Sequence, residues 1–411
     1  MRYGLLGEHL PHSFSRQIHE ALGRYAYELI EVAPADLDTF MTARDFAAIN
    51  VTIPYKQAVL PYLKDLTPRA RAIGAVNAIV NRGGELYGDN TDFGGLEALV
   101  RRMGLDLAGK TVLILGTGGT SLTAQAVARD LGAGEVYRLS RSGRDGALTY
   151  DRAVREHPAA EIILNTTPSG MYPDLDAQPL DLSAFHNLRG LVDVIYNPLT
   201  TRLVQQARDR GVPAENGLYM LVAQAVLAAE FFLDEKIDPG RIDEIYRSLK
   251  FDRQNIVLTG MPGSGKTTLG TLLSQRLNRP LVDTDREIVA RTGMEITDLF
   301  AAYGEDRFRD LETQVIREVS QTGGKLIATG GGAVLRAENV AALKQNGVVV
   351  FLDRALSELL PTADRPLANS AEKIRALYGA RRPKYLASAD VTLPVEGTPA
   401  DTADALVRCL S

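Results

Sequence analysis

The sequence predicts an α/β protein made of two halves in tandem, each organised on a parallel sheet. Two observations carry this expectation. Glycine-rich loops near Gly116 and Gly260 each follow a short apolar strand and open a helix, so each heads its own βαβ unit. The chain has 411 residues, 45% hydrophobic and 24% charged, which at roughly 150 residues per domain is enough for about two to four well-cored domains.

Composition narrows the function classes. The net charge is −5 and no basic stripe is present, so nucleic-acid binding is not expected. The lone cysteine, Cys409, excludes a disulfide framework and a multi-cysteine metal site. The apolar stretch in Met1–Gly7 is too short for a signal peptide. The longest apolar run, Tyr219–Leu233, is broken by Gln224 and Glu230 and falls short of the about 18 residues of a membrane span. A cytoplasmic protein with no membrane partner is expected. Nothing in the pattern specifies an oligomeric state.

The elements follow in order. Short apolar runs at Tyr27–Val32, Ala47–Ile53 and Val76–Val80, with helical patterns between them, predict a small α/β lobe over 1–95. Strands Thr111–Leu115, Glu135–Leu139, Glu161–Asn165 and Leu191–Ile195 predict a doubly wound, Rossmann-type domain over 96–215. Helix Gly217–Leu233 has no strand after it, and a further helix is expected near Arg241–Leu249. They are expected to fold back and complete the first lobe (216–250), leaving a cleft between lobes. The polar stretch Ser248–Asn255 marks the main boundary. Beyond it, strands Asn255–Thr259, Pro280–Val282, Lys325–Thr329, Val348–Leu352 and Asp390–Leu393 predict a small parallel domain over 251–411.

Gly260-Met261-Pro262-Gly263-Ser264-Gly265-Lys266-Thr267 fits the P-loop pattern, and Thr268 continues it. Backbone amides around Gly263 and Gly265 are free to converge on phosphate oxygens because no Cβ intrudes. Lys266 offers charge to the β- and γ-phosphates, and the Thr267 hydroxyl is a Mg²⁺ ligand. Asp283 and Asp285 are expected at the end of the next strand, diverging toward a metal and a polyol. Arg307-Phe308-Arg309 opens a helix and Arg381-Arg382 closes another, and arginine forks suit a carboxylate. Gly330-Gly331-Gly332 directly follows an apolar strand, where three glycines let backbone approach a ligand.

On these segments, together with Arg365-Pro366-Leu367 and Arg381-Arg382-Pro383-Lys384-Tyr385, residues 254–411 resemble shikimate kinase. The resemblance implies ATP and Mg²⁺. It assigns metal assistance to Asp283, ring-hydroxyl binding and the base to Asp285, and carboxylate binding to Arg309 and Arg381. Gly330 to Gly332 match the family's substrate glycines, and Arg365 its lid arginine. The family usually carries an adenine-packing arginine ahead of Arg365. The short segment Glu358–Asp364 has none, which implies an abbreviated lid.

Gly116-Thr117-Gly118-Gly119-Thr120-Ser121 approximates the dinucleotide fingerprint, with Ser121 in place of the third glycine. After the next strand an NAD site offers an acid to the ribose. This chain has Ser140-Arg141-Ser142 with Arg144 nearby, which favours the 2′-phosphate of NADP(H). In the first lobe, Ser13-Phe14-Ser15, Asn50 to Lys56, Gly74 to Asn77 and Gly88 to Asp92 place hydroxyls, amides and carboxylates where a polyhydroxylated ring would meet them, and Lys56 with Asp92 forms a candidate proton-transfer pair. The bland alternatives are a surface cation for Lys56 and a helix N-cap for Asp92.

With Asn165 to Met171, Asp193 to Pro198 and Asn216 to Gln224 added, residues 1–250 resemble shikimate dehydrogenase. The resemblance implies catalysis by Lys56 and Asp92, substrate contacts from Ser13, Ser15, Thr52, Asn77, Tyr196 and Gln224, and NADP contacts from the Gly116 loop, Arg141 and Gly217. Most members carry asparagine where this chain has Ser140. Together the halves imply reduction of 3-dehydroshikimate and phosphorylation of the shikimate formed. Quinate for the first half and another small polyol for the second remain open. A non-catalytic ligand sensor is disfavoured, because Lys56, Asp92, Lys266 and Asp285 are all in place.

Overall fold

The structure is a computed structural model that describes residues 2–10, 13–144, 146–360 and 370–410. Arg365 and most of the short lid lie outside the described residues. The chain divides into two compact units, one of residues 1–196 and 201–249, the other of 197–200 and 250–411.

The first unit contains two sheets. Strands β1 (Tyr3–Gly7), β2 (Glu28–Glu31), β3 (Ala48–Val51), β4 (Asp65–Leu66), β5 (Ala78–Arg82) and β6 (Glu85–Asp89) form a mixed sheet ordered β2-β1-β3-β5-β6-β4. β3 is buried along its length and pairs in parallel with β1 and antiparallel with β5. Strands β7 (Thr111–Leu115), β8 (Glu135–Ser140), β9 (Leu148–Thr149), β10 (Ile162–Asn165), β11 (Gly190–Asp193) and β12 (Ala214–Glu215) form a parallel sheet ordered β12-β11-β10-β7-β8-β9. Read from the other edge this is the doubly wound 3-2-1-4-5-6 order. Its switch point lies between β7 and β10, where such sheets bind ligands at their carboxyl ends. The loop at Gly116 leaves β7 at that point.

Helix Leu218–Leu233 packs on the first lobe, against helix Thr91–Arg102, helix Ser15–Ala21 and β5. The close crossing needs Gly95: a Cβ there would sit 2.7 Å from the Met220 carbonyl oxygen. This approach brings the helix bearing Asp92 against the helix bearing Gln224. The stretch expected as a polar boundary is helical instead, because helix Gly240–Arg253 runs through it almost to β13.

The second unit holds β13 (Asn255–Thr259), β14 (Leu281–Asp283), β15 (Leu326–Ala328), β16 (Gly347–Asp353) and β17 (Val391–Pro394), all parallel and ordered β14-β15-β13-β16-β17. The phosphate loop follows β13 at the switch point of this sheet. Two expectations are corrected. Asp285 lies in the first turn of helix Thr284–Thr292, while Asp283 ends β14 and caps that helix by accepting from the amides of Asp285 and Arg286. Arg381 and Arg382 do not close a helix: helix Ala371–Ser388 continues past Pro383. Arg307–Arg309 do follow a helix restart, since Gly304 (φ 80°) breaks Ile296–Ser320 just before them. Among the described residues no helix is long and apolar enough to cross a membrane.

Asp193, at the end of β11, is fully buried. It accepts from Asn165 Nδ2 at 2.9 Å, the Ile195 amide at 3.1 Å and the Thr201 hydroxyl at 2.7 Å. Burial outweighs these donors and pushes its pKa up to about 7 from 3.8. Between those values the folded protein keeps a proton that the unfolded chain has lost, so stability falls as pH rises. Asp193→Asn removes the linkage. From pH 5 to pH 8 the urea midpoint of the first unit is expected to fall in the wild type relative to Asp193→Asn.

Candidate active sites

In the first unit the Lys56 ammonium lies 2.5 Å from Asp92 Oδ2, and the two side chains are 14% and 10% exposed. Lys56 follows β3, and its carbonyl accepts the Val76 amide at 2.9 Å. Asp92 lies in the first turn of helix Thr91–Arg102, whose N-cap is Asn90, accepting from the Phe93 amide. Neither bland alternative therefore applies. Lys56 also faces the cofactor loop: a Cβ on Gly119 would lie 3.7 Å from its side chain.

An amide network adjoins this pair. Asn77 Oδ1 accepts from the Thr91 amide at 2.7 Å, and its Nδ2 donates to Thr91 Oγ1 at 3.0 Å and to Gln224 Oε1 at 3.2 Å. Ser15 is buried, and its amide donates to Ser13 Oγ at 3.2 Å. The Phe14 ring between them contacts Tyr196 at 5.1 Å, and burial raises the Tyr196 hydroxyl above its ordinary pKa. The Thr52 amide donates to Leu6 O at 2.9 Å. Asn90, Thr91 and Thr123 were not singled out from sequence. Asn90 joins the lobes, donating to Ala75 O at 2.9 Å and to Thr123 Oγ1 at 3.2 Å on the cofactor helix. The polar run Gly88–Asp92 contained the signal, but proximity to Asp92 alone did not assign these partners.

The cofactor loop opens helix Gly119–Asp130 with Gly118 as its N-cap. Ser121 is fully buried and donates to Gly118 O at 2.6 Å, so the hydroxyl that replaces the third glycine is satisfied within the turn. At the end of β8, Ser140 Oγ accepts the Gly143 amide at 2.9 Å, holding a turn that leaves Arg141 and Arg144 exposed. Gly217 is a packing position, since a Cβ would lie 2.1 Å from Val194 O.

In the second unit a cleft of about 720 Å³ is lined by Thr267, Asp283, Asp285, Arg309, Gly330 to Gly332 and Arg381, among others. Gly260, Gly263 and Gly265 have φ of 145°, 80° and 94°. Lys266 Nζ donates to Gly260 O at 2.9 Å and Met261 O at 3.0 Å, and Thr268 is exposed. Thr267 Oγ1 donates to Asp283 Oδ2 at 3.0 Å. Ser264 is fully buried, and its Oγ has no hydrogen-bond partner among the described residues.

Glu312 was missed from sequence. Fully buried, it accepts from Arg309 Nη1 at 2.7 Å. Burial opposes the charge on Arg309, but Glu312 and Glu305 outweigh it and hold the guanidinium pKa above its usual value. Burial likewise raises Glu312 despite Arg309. The available signal was its position three residues after Arg309 on a helix, where opposite charges meet. The glycines leave room for these groups. A Cβ on Gly330 would lie 2.5 Å from Asp285 Oδ1 and 2.6 Å from Glu312 Oε1, and one on Gly332 would lie 2.1 Å from Arg309 Nη1. Arg381 Nη1 and the Tyr385 hydroxyl both donate to Gly331 O, the former at 3.0 Å.

Comparisons with known proteins match both units. The shikimate dehydrogenase (NADP(+)) of Geobacillus kaustophilus is 37% identical over 265 residues, covering 59% of this chain and 96% of its own length. That of Clostridium beijerinckii is 33% identical over 257 residues, covering 58% and 95%. The chain belongs to the shikimate dehydrogenase family. The family model for the shikimate dehydrogenase substrate binding domain matches residues 5–79, and the shikimate kinase model matches residues 262–411. The shikimate dehydrogenase unit is therefore joined to a shikimate kinase domain. Shikimate 5-dehydrogenase from Thermus thermophilus, solved in complex with NADP(H) and shikimate, aligns with TM-score 0.55 and 30% identity over 60% of this chain and 99% of that one. A chorismate mutase/shikimate 5-dehydrogenase fusion from Clostridium acetobutylicum aligns with TM-score 0.57 and 34% identity over 60% and 96%.

Gly332→Ala is expected to displace the Arg309 guanidinium. The kinase KM for shikimate should rise at least about tenfold, equivalent to about 1.4 kcal/mol, while dehydrogenase kinetics stay at wild-type values. Steady-state assays of both activities on one preparation check this.

Proposed function

We propose that the chain carries out two successive steps of the shikimate pathway, toward chorismate and the aromatic amino acids. The first unit reduces 3-dehydroshikimate to shikimate with NADPH. The second phosphorylates shikimate to shikimate 3-phosphate with ATP. The observation that carries the reading is the buried Lys56–Asp92 pair beside the cofactor loop.

NADPH, when bound, supplies the hydride. Lys56 delivers a proton to the oxygen of the reduced carbonyl, and Asp92 aims its ammonium. General acid–base assistance of this kind is worth about 10² to 10⁴ in rate. Ser13, Ser15, Thr52, Asn77, Tyr196 and Gln224 hold the ring. Gly116, Gly118 and Gly119 admit the pyrophosphate, and Gly217 lets the chain pass close behind. Ser140 fixes the turn that presents Arg141 and Arg144 to the 2′-phosphate.

In the kinase, Arg309 and Arg381 bind the ring carboxylate against Gly330, Gly331 and Gly332. Asp285 orients the 3-hydroxyl and takes its proton. Lys266 and the amides of Gly263, Ser264, Gly265, Thr267 and Thr268 cradle the phosphates, and a buried Ser264 hydroxyl with no partner among the described residues suits a phosphate oxygen. The neighbouring Thr267 hydroxyl and Asp283 carboxylate fit Mg²⁺, which takes few protein ligands and completes its shell with phosphate and water. Mg²⁺, when bound, neutralises charge on the phosphates. Arg365 is the lid arginine by resemblance.

Lys56→Ala is expected to lower NADPH oxidation with 3-dehydroshikimate at least about 100-fold and to spare phosphorylation of added shikimate. Lys266→Ala is expected to do the reverse. Loss of both activities in either folded variant contradicts two independent sites. Arg141→Ala is expected to raise KM for NADPH about tenfold, through loss of a charge-assisted contact, and to leave KM for NADH unchanged. Quinate supplied with NADP⁺ or NAD⁺ tests the alternative substrate.

A further inference from the structure

Behind the amides of the dehydrogenase pocket runs a buried polar chain that the mechanism above does not use. Asn50 on β3 is 4% exposed, Asn77 3% and Tyr27 1%. Asn50 Nδ2 donates to the Asn77 backbone carbonyl at 3.0 Å, which also receives the Val51 amide at 2.9 Å. The Tyr27 hydroxyl donates to Asn50 Oδ1 at 2.7 Å. The Tyr27 ring lies flat on the imidazole of His19, with centroids 4.0 Å apart and planes 2° apart. His19 pairs through Nδ1 with the Tyr25 hydroxyl at 2.8 Å. Burial lowers the His19 pKa to about 3, so the stack carries no buried charge near neutral pH.

The order of donors in this chain is determined. A backbone carbonyl only accepts, so the Asn50 amide must turn its NH₂ toward Asn77. That leaves its oxygen facing Tyr27, which must supply a donor or leave the oxygen buried and unsatisfied. Two donors then hold the Asn77 backbone, and Thr91 and Gln224 hold its side chain.

We propose that Tyr27 is a positioning residue for the dehydrogenase substrate pocket: through Asn50 it fixes Asn77 in the orientation that meets the ring hydroxyls, with His19 as its flat support. This rests on the reading of Asn77 as a substrate contact.

Tyr27→Phe removes one oxygen and keeps the stack. In the full-length protein it is expected to raise KM for 3-dehydroshikimate about fivefold to tenfold. The dehydrogenase kcat should stay within about twofold, and KM for NADPH and the kinase kinetics should not change. Asn50→Leu is expected to raise the same KM comparably. In the double variant Tyr27→Phe should add less than about twofold, because the two groups act in series. A wild-type KM for 3-dehydroshikimate in Tyr27→Phe, even with lowered thermal stability, overturns the proposal, as do additive effects in the double variant. If Tyr27→Phe does not fold, Asn50→Leu alone decides, and an unchanged KM overturns the proposal. A wild-type protein that fails to reduce 3-dehydroshikimate overturns the dehydrogenase reading itself, an outcome distinct from an active wild type indifferent to Tyr27→Phe.

Discussion

A charge buried alone is too costly to keep, and the dehydrogenase site is built around that constraint. Lys56 and Asp92 are both largely withdrawn from water, and stranding one of them would cost roughly 3–5 kcal/mol. Each therefore requires the other. Because they come from the loop after β3 and from the first turn of helix Thr91–Arg102, their contact holds these elements in one arrangement. Asn90 at the head of that helix reaches Thr123 on the cofactor helix. Lys56 and the helix that follows the Gly116 loop are thereby both tied to the start of helix Thr91–Arg102.

The kinase unit meets the same constraint differently. Arg309 is 7% exposed and Glu312 fully buried, and each neutralises the other while Arg309 keeps its charge. The space for this pair comes from glycines, since side chains at Gly330 and Gly332 would occupy the positions of the carboxylates and the guanidinium. In both units a glycine loop leaves a buried strand of a parallel sheet, β7 in the first and β13 in the second, at the carboxyl edge where such sheets bind ligands.

Much of this was legible in the sequence, for reasons that can be named. Strands buried on both faces read as unbroken apolar runs, so Thr111–Leu115 and Asn255–Thr259 are found at the expected residues. The two-residue strands β4, β9 and β12 are too short to show any period. Pro383 reads as a helix stop, yet the helix continues because Arg381 and Tyr385, four residues apart on one face, both bind Gly331 O. The structure brings Lys56 to Asp92, Asn77 to Gln224, and Thr267, Asp283, Asp285, Arg309, Gly330 to Gly332 and Arg381 to one cleft. The supporting residues were less legible. Glu312, Asn90, Thr91 and Tyr27 act through partners 3 to 33 positions away, and an isolated polar residue carries no local mark of its partner.

The central claim is that one chain reduces a ketone on a small carboxylated ring and then phosphorylates the hydroxyl it has made. The most direct test mixes the purified full-length protein with 3-dehydroshikimate, NADPH, ATP and Mg²⁺ and follows NADPH absorbance and phosphorylated product together. The account predicts that NADPH is consumed and shikimate 3-phosphate accumulates with no other enzyme added. Consumption of NADPH without any phosphorylated product, or no consumption at all, would contradict it.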